Sequence, residues 1–275
     1  MILYDETLRQ NAANGTPLAQ LLTDRGIVPG IKVDKGLVAL DGPGAEKVTE
    51  GLDGLARRYE EYRALGARFA KWRAVYSITD HLPSGRCIQA NAWLLARYAA
   101  ITQQCGLVPI VEPEVLMDGD HTQARCREVT EAVLAAVFEQ LHAQGVVLEH
   151  MILKPNMVLP GQNCPQKANP QAVADATLTV FRRTVPAAVP GIMFLSGGQG
   201  DEEATANLNA MNTAAGPRPW TVSFSYGRAL QAPALKIWGG KAANAKAAQQ
   251  ALRHRALMNG AAALGTYTAG LERAA

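Results

Sequence analysis

The chain has 275 residues, which suits one α/β barrel, commonly about 250 residues, or two ordinary domains. Its 48 % hydrophobic and 19 % charged residues support a large core and exclude a disordered chain, and a net charge of +3 is too small to point to nucleic acid. No apolar stretch approaches the ~20 residues of a membrane span, the opening MILYDETLRQ is unlike a signal peptide, and four separated cysteines without a CxxC pair read as reduced thiols of a cytosolic protein.

Along the chain, short apolar segments alternate with longer periodic ones. The opening ILYD is followed by GIVPGIKVD (26–34), RFAKWR (68–73), LVPIVEPE (107–114), HMILKPN (150–156), GIMFLSGG (191–198) and WTVSFSYGR (220–228). Each is rich in β-branched or aromatic residues and bounded by Gly, Pro or charge, the pattern of a buried strand. Between them the period changes. Leu52, Leu55, Tyr59, Tyr62 and Leu65 recur at helical spacing, as do Ile88, Leu94, Leu95, Tyr98 and Ile101 between Ser84 and Gly106. Val129, Val133, Leu134, Val137 and Leu141 form a third stripe ended by Gly145, and regions 170–185, 201–214 and 243–264 read as further helices. Strand and helix in alternation predict βαβ units and a parallel sheet. No composition shift divides the chain, so residues 1–275 are expected to form a single (β/α) barrel domain, with 160–170 a long loop inside it.

Charged residues cluster at the strand ends. Residues i and i+2 of a strand share a face, which pairs Lys32 with Asp34, Lys71 with Arg73, Glu112 with Glu114 and Lys154 with Asn156. Two further strands end on Ser196–Gly197–Gly198 and Ser225–Tyr226–Gly227–Arg228. Any one of these is ordinarily a solvated cap or a turn. In a parallel barrel, however, all the C-terminal strand ends meet at one mouth, where barrel enzymes keep their active sites. Lysines crowded and buried there lose proton affinity, and a neutral lysine attacks a carbonyl to give a Schiff base. Lys154 has the longest apolar approach, with Glu112 as acid/base, Lys71 as charged neighbour, and the glycine loops with Arg228 suited to a phosphate. The residues therefore point to a Schiff-base enzyme acting on a phosphorylated sugar or keto compound. Asp120 is expected to cap the helix that follows His121, and no histidine has a partner at ligand spacing, so no metal is expected.

The strings GIKVDKG, FAKWR, VPIVEPE, MILKPNMV, FLSGGQ and FSYGRALQ, with EGLDGL, LARYA and ALKIWGGK among them, resemble in order the motifs of class I fructose-bisphosphate aldolase, from residue 1 to about residue 268. The resemblance implies a cytoplasmic (β/α)₈ barrel, usually a homotetramer, that needs no metal or other cofactor. Its reaction would be the reversible cleavage of fructose 1,6-bisphosphate to dihydroxyacetone phosphate and glyceraldehyde 3-phosphate, with no nucleic-acid or membrane partner. By motif, Lys154 would be the Schiff-base lysine, Glu112 the acid/base, Glu114 its electrostatic support and Lys71 a charge stabiliser. Ser196, Gly197, Ser225, Gly227 and Arg228 would line one phosphate pocket, Lys32 and Arg73 would face the other phosphate, and Asp34 would hold the lysines.

Two family features find no match: an N-terminal segment with the first barrel strand and a site aspartate in an ADES-type motif, and a C-terminal tail ending in tyrosine. Seven strands are then expected where a barrel needs eight, as in a truncated or start-shifted aldolase with two unpaired edges. The alternative expectation is a relic that binds phosphorylated ligands without efficient turnover. A transaldolase-like barrel fits the chemistry but not the motifs.

Overall fold

In the computed structural model, which describes residues 1–41 and 46–273, the dominant element is one parallel sheet of seven strands with helices packed on its outer side. Its strands are β1 (Ile2–Leu3), β2 (Gly30–Lys32), β5 (Phe69–Tyr76), β6 (Val108–Val115), β7 (Ile152–Leu153), β8 (Gly191–Phe194) and β9 (Thr221–Phe224), hydrogen-bonded in that order. Between β2 and β5 an antiparallel hairpin, β3 (Gly36–Ala39) and β4 (Lys47–Glu50), stands apart as its own two-stranded sheet. Among the described residues β1 and β9 each pair on one side only, so the sheet is an arc with two edges.

The helices are α1 (Asp5–Leu8), α2 (Leu18–Thr23), α3 (Leu55–Ala64), α4 (Gly85–Gln104), α5 (Gln123–Ala143), α6 (Pro170–Thr184), α7 (Asp201–Thr213), α8 (Arg228–Trp238) and α9 (Ala245–Ala263). Their starts follow local chemistry. The Ser84 hydroxyl accepts from Cys87 N at 3.1 Å, and Asn169 Oδ1 accepts from Ala172 N at 2.9 Å with Pro170 at the first helical position. Thr122, not Asp120 as expected, caps α5, its hydroxyl accepting from Arg125 N at 3.2 Å. The threonine lies two residues further on, directly before the first helical residue Gln123.

The period-two alternation of the strands decides where the core lies. Ala70, Trp72 and Ala74 of β5 are fully buried on the helix side, and Trp72 stacks on Tyr98 of α4 with ring centroids 5.5 Å apart. Val111, Leu153 and Ile192 follow the same side, and Phe194 stacks on Phe181 of α6 at 5.6 Å. The opposite side of the sheet is thereby left to the alternate residues, among which are Lys71, Arg73, Glu112 and Glu114.

Candidate active site

The parallel register sets the site out. Lys32 lies opposite Lys71, Arg73 opposite Glu112, and Val75 opposite Glu114. Leu153 pairs with Val111, and Lys154 N then donates to Val111 O at 2.8 Å, which brings Lys154 level with Glu112. Two lysines directly opposite one another repel. Asp34 offsets this, because its carboxylate takes Lys32 Nζ on one oxygen and stands 3.9 Å from Lys71 Nζ on the other. Glu112 continues the row, with Oε2 2.9 Å from Lys71 Nζ and Oε1 2.9 Å from Lys154 Nζ. Beside it Arg73 Nε pairs with Glu114 Oε2 at 2.5 Å.

Positive and negative groups thus alternate in the order Lys32, Asp34, Lys71, Glu112, Lys154 across four neighbouring strands. Lys71, Glu112, Glu114 and Lys154 are all buried, from 3 % to 8 % exposed. Buried charges persist only when paired, and here each has a partner of opposite sign. The balance at Lys154 shifts toward the neutral amine: burial is the largest cause, Lys71 adds repulsion, and the attraction of Glu112 and Glu114 does not overcome them, so its proton affinity falls below the usual 10.5. For Glu112 burial acts to raise the carboxyl, but Lys71 and Lys154 together outweigh it and hold it below its usual 4.5.

The second half of the mouth comes from the loops after β8 and β9. Ser196 is buried, and Gly197 takes φ +59°, a left-handed turn that a side chain would disfavour. Its carbonyl accepts from the Arg228 guanidinium, and Ser225 N donates to Phe194 O at 2.8 Å, so the two loops lie against each other. Gly227 caps α8 with no side-chain partner, leaving first-turn N–H groups of that helix available to an anion. The structure therefore gathers Lys32, Asp34, Lys71, Arg73, Glu112, Glu114 and Lys154 into one contiguous set, and Ser196, Gly197, Ser225, Gly227 and Arg228 into a second.

Asn156 departs from expectation. It turns away from Lys154, accepts from Val115 N at 3.0 Å and donates to Thr130 of α5 at 3.1 Å, because the chain leaves strand geometry after Leu153. Other supports carry no sequence signal. Arg58 of α3 donates to Val33 O at 2.9 Å, and Thr49 of β4 donates to Arg73 O at 2.6 Å, which fixes the backbone beside Asp34 and at Arg73 across more than twenty residues of chain. Among the described residues no group of three or more His, Cys, Asp or Glu is arranged to hold a metal ion. A cavity of about 590 Å³, lined by Arg9, Pro17, Ile27, Val28 and Arg68, opens before β2 and β5, away from the charged row and with none of its members in the wall.

Comparison with known proteins places this geometry in context. The family model for class-I fructose-bisphosphate aldolase matches residues 1–275. The chain is similar to a probable class 1 fructose-bisphosphate aldolase of Xanthomonas campestris, at 56 % identity over 97 % of the chain and 80 % of the relative. It is 56 % identical to fructose-bisphosphate aldolase C of Mus musculus and 55 % identical to the cytoplasmic isozyme 2 of Pisum sativum, in each case over 97 % of the chain and 74 % of the relative. Among solved structures, the fructose-bisphosphate aldolase of Plasmodium falciparum, crystallised with TRAP and a small-molecule inhibitor, superposes with a TM-score of 0.95 at 52 % identity, covering 98 % of this chain and 78 % of that one.

Proposed function

The chain belongs to the class I fructose-bisphosphate aldolase family, and from that premise we propose how its site performs the reversible cleavage of fructose 1,6-bisphosphate. The observation that carries the reading is Glu112 bridging two buried lysines at 2.9 Å each. Lys154 passes its ammonium proton to the Glu112 carboxylate 2.9 Å away, and the freed amine attacks the C2 carbonyl of the open-chain sugar to form a carbinolamine. Glu112, adjacent to that nitrogen, protonates the departing hydroxyl, which leaves as water, and an iminium remains. Glu112 is then a carboxylate and takes the proton of the C4 hydroxyl. The C3–C4 bond breaks, its electron pair moves into the iminium to give an enamine, and glyceraldehyde 3-phosphate departs. Protonation at C3 and hydrolysis of the imine release dihydroxyacetone phosphate and restore Lys154. Lys71 keeps Glu112 balanced throughout, while Glu114 adds negative potential and is steadied by Arg73.

In this reading one phosphate sits on Ser196, Gly197, Ser225, Gly227 and Arg228, where free helix N–H groups and a guanidinium converge. Lys32 and Arg73 receive the other, and Asp34 holds Lys32 and Lys71 in place. Residues 1–275 act as one barrel domain, supported by a core cluster that runs unbroken from Leu3 to Tyr267. A cytoplasmic homotetramer is the assembly that the family resemblance favours, consistent with four free cysteines and checked by the solution mass. The assembled row supports the enzyme over a non-catalytic relic, since a binding site alone has no use for a buried lysine of lowered proton affinity.

The direct test is to incubate the protein with dihydroxyacetone phosphate, reduce with borohydride and map the adduct by peptide mass spectrometry. The expected adduct is on Lys154, and it is absent from Lys154→Met. A folded protein that gives no adduct at Lys154 would overturn the proposal.

A further inference from the structure

A second buried charge cluster lies outside the reacting centre. Arg255 of α9 is 3 % exposed, and a buried guanidinium is tolerated only where it is paired and hydrogen-bonded. Its Nη1 donates to both oxygens of Glu272 at 2.7 and 2.6 Å. Glu272 belongs to the short 3₁₀ turn Ala269–Arg273, and its carboxylate is also met by His254 Nε2 at 2.7 Å and by the Tyr267 hydroxyl at 3.0 Å. Every lone-pair direction of that carboxylate is therefore engaged.

The other arm of the guanidinium points at the site. Arg255 Nη2 donates to Asp201 O at 3.1 Å and to Thr205 Oγ1 at 2.6 Å. Asp201 is the first residue of α7, directly after the loop Ser196–Gly200. That loop is joined to the same helix a second time: Gln199 donates to Ser196 O through its backbone N at 3.1 Å and its side-chain Nε2 at 3.0 Å, and its Oε1 accepts from Asn207 Nδ2 at 2.7 Å. The loop after β9 is tied there too, since the buried Tyr226 hydroxyl donates to Ala204 O at 2.8 Å. The first two turns of α7 are a shared platform for both glycine loops, and Arg255 fixes that platform to α9.

We propose that Arg255, clamped by Glu272, is a positioning residue for phosphate binding, holding the Ser196–Gly200 loop through the first turn of α7. The inference rests on the reading that this loop holds a phosphate. Glu272 touches neither substrate nor Lys154, so its removal acts on where the loop sits and leaves imine chemistry intact.

The experiment compares dihydroxyacetone phosphate with dihydroxyacetone, which forms the same imine without a phosphate, by the concentration giving half-maximal borohydride trapping on Lys154. In Glu272→Ala the value for dihydroxyacetone phosphate rises by about tenfold, the scale expected when a binding group is displaced by a fraction of an ångström. Glu272→Gln, which keeps an acceptor for Arg255, shows a smaller rise, and dihydroxyacetone trapping is unchanged in both. If the alanine variant does not fold by circular dichroism, the glutamine variant carries the comparison. Equal losses for the two compounds, or no change for either, would overturn the positioning role. If the unmodified protein traps both compounds at the same concentration, the phosphate reading of the loop fails first, and this inference falls with it.

Discussion

Lys154 has two charged neighbours of opposite effect on its proton, and substituting each separates them. Lys71 repels the charge on Lys154, whereas Glu112 attracts it. Lys71→Met therefore moves the pH midpoint of Lys154 trapping upward, and Glu112→Gln moves it downward, both read from trapping rate against pH. The glutamine variant also loses about 10²–10⁴-fold in kcat, the usual contribution of a positioned acid/base. Parallel shifts in the two variants would show that Lys154 does not sense this row. The sign for stability follows from the same displacement. Lys154 binds its proton less tightly when folded than the ordinary 10.5 of an exposed lysine, so the unfolded chain carries more protons in the window below that value. The group's contribution to stability rises with pH through that window, and its penalty is fully present below it.

At the scale of elements, the mouth depends on loops that touch backbone to backbone. Gly161 N donates to His121 O at 2.8 Å and Gln162 N to Met117 O at 2.7 Å, while Met117 Sδ accepts from Gly198 N at 3.0 Å. A Cβ on Gly161 would stand 2.4 Å from Gly119 O, and that neighbour is backbone. Gly161→Ala is expected to cost about 1–3 kcal/mol, as overpacking does, and to lower Tm by several degrees in a thermal melt. An unchanged Tm would mean that the two loops separate easily. The seven strands of the main sheet and the helices α3 to α7 and α9 are legible in the sequence, because buried strands carry short apolar runs and the helices keep a 3.6-residue stripe between recognisable ends. The short α1 and α2 have too few turns to show a period. The β3–β4 hairpin faces solvent in part, with Leu37 and Val38 each 37 % exposed, so no burial pattern marks it. Helix α8 is hidden by Pro233 in its interior and by apolar residues left outside, among them Leu235 at 57 % and Trp238 at 44 % exposed. In the site, the charged row was visible because i and i+2 residues share a face within one strand. Arg58 and the Arg255–Glu272 clamp were not, since contacts between separate elements leave no spacing to read.

For the whole molecule, the main sheet among the described residues has two edges, β1 and β9, and a well-bonded middle in β5 and β6. Amides of Thr221–Phe224 and of Ile2–Leu3 are expected to exchange with solvent deuterium well ahead of those in Phe69–Tyr76, because edge groups lack a second neighbouring strand. Equal protection of Thr221–Phe224 and Phe69–Tyr76 would show the edge to be covered. Lys32 stands at the end of β2 and Arg228 just after β9, at opposite ends of the strand order from β2 to β9. A substrate with a phosphate at each end would join them as a strut, so a single small molecule would tie the early strands of the sheet to the late ones.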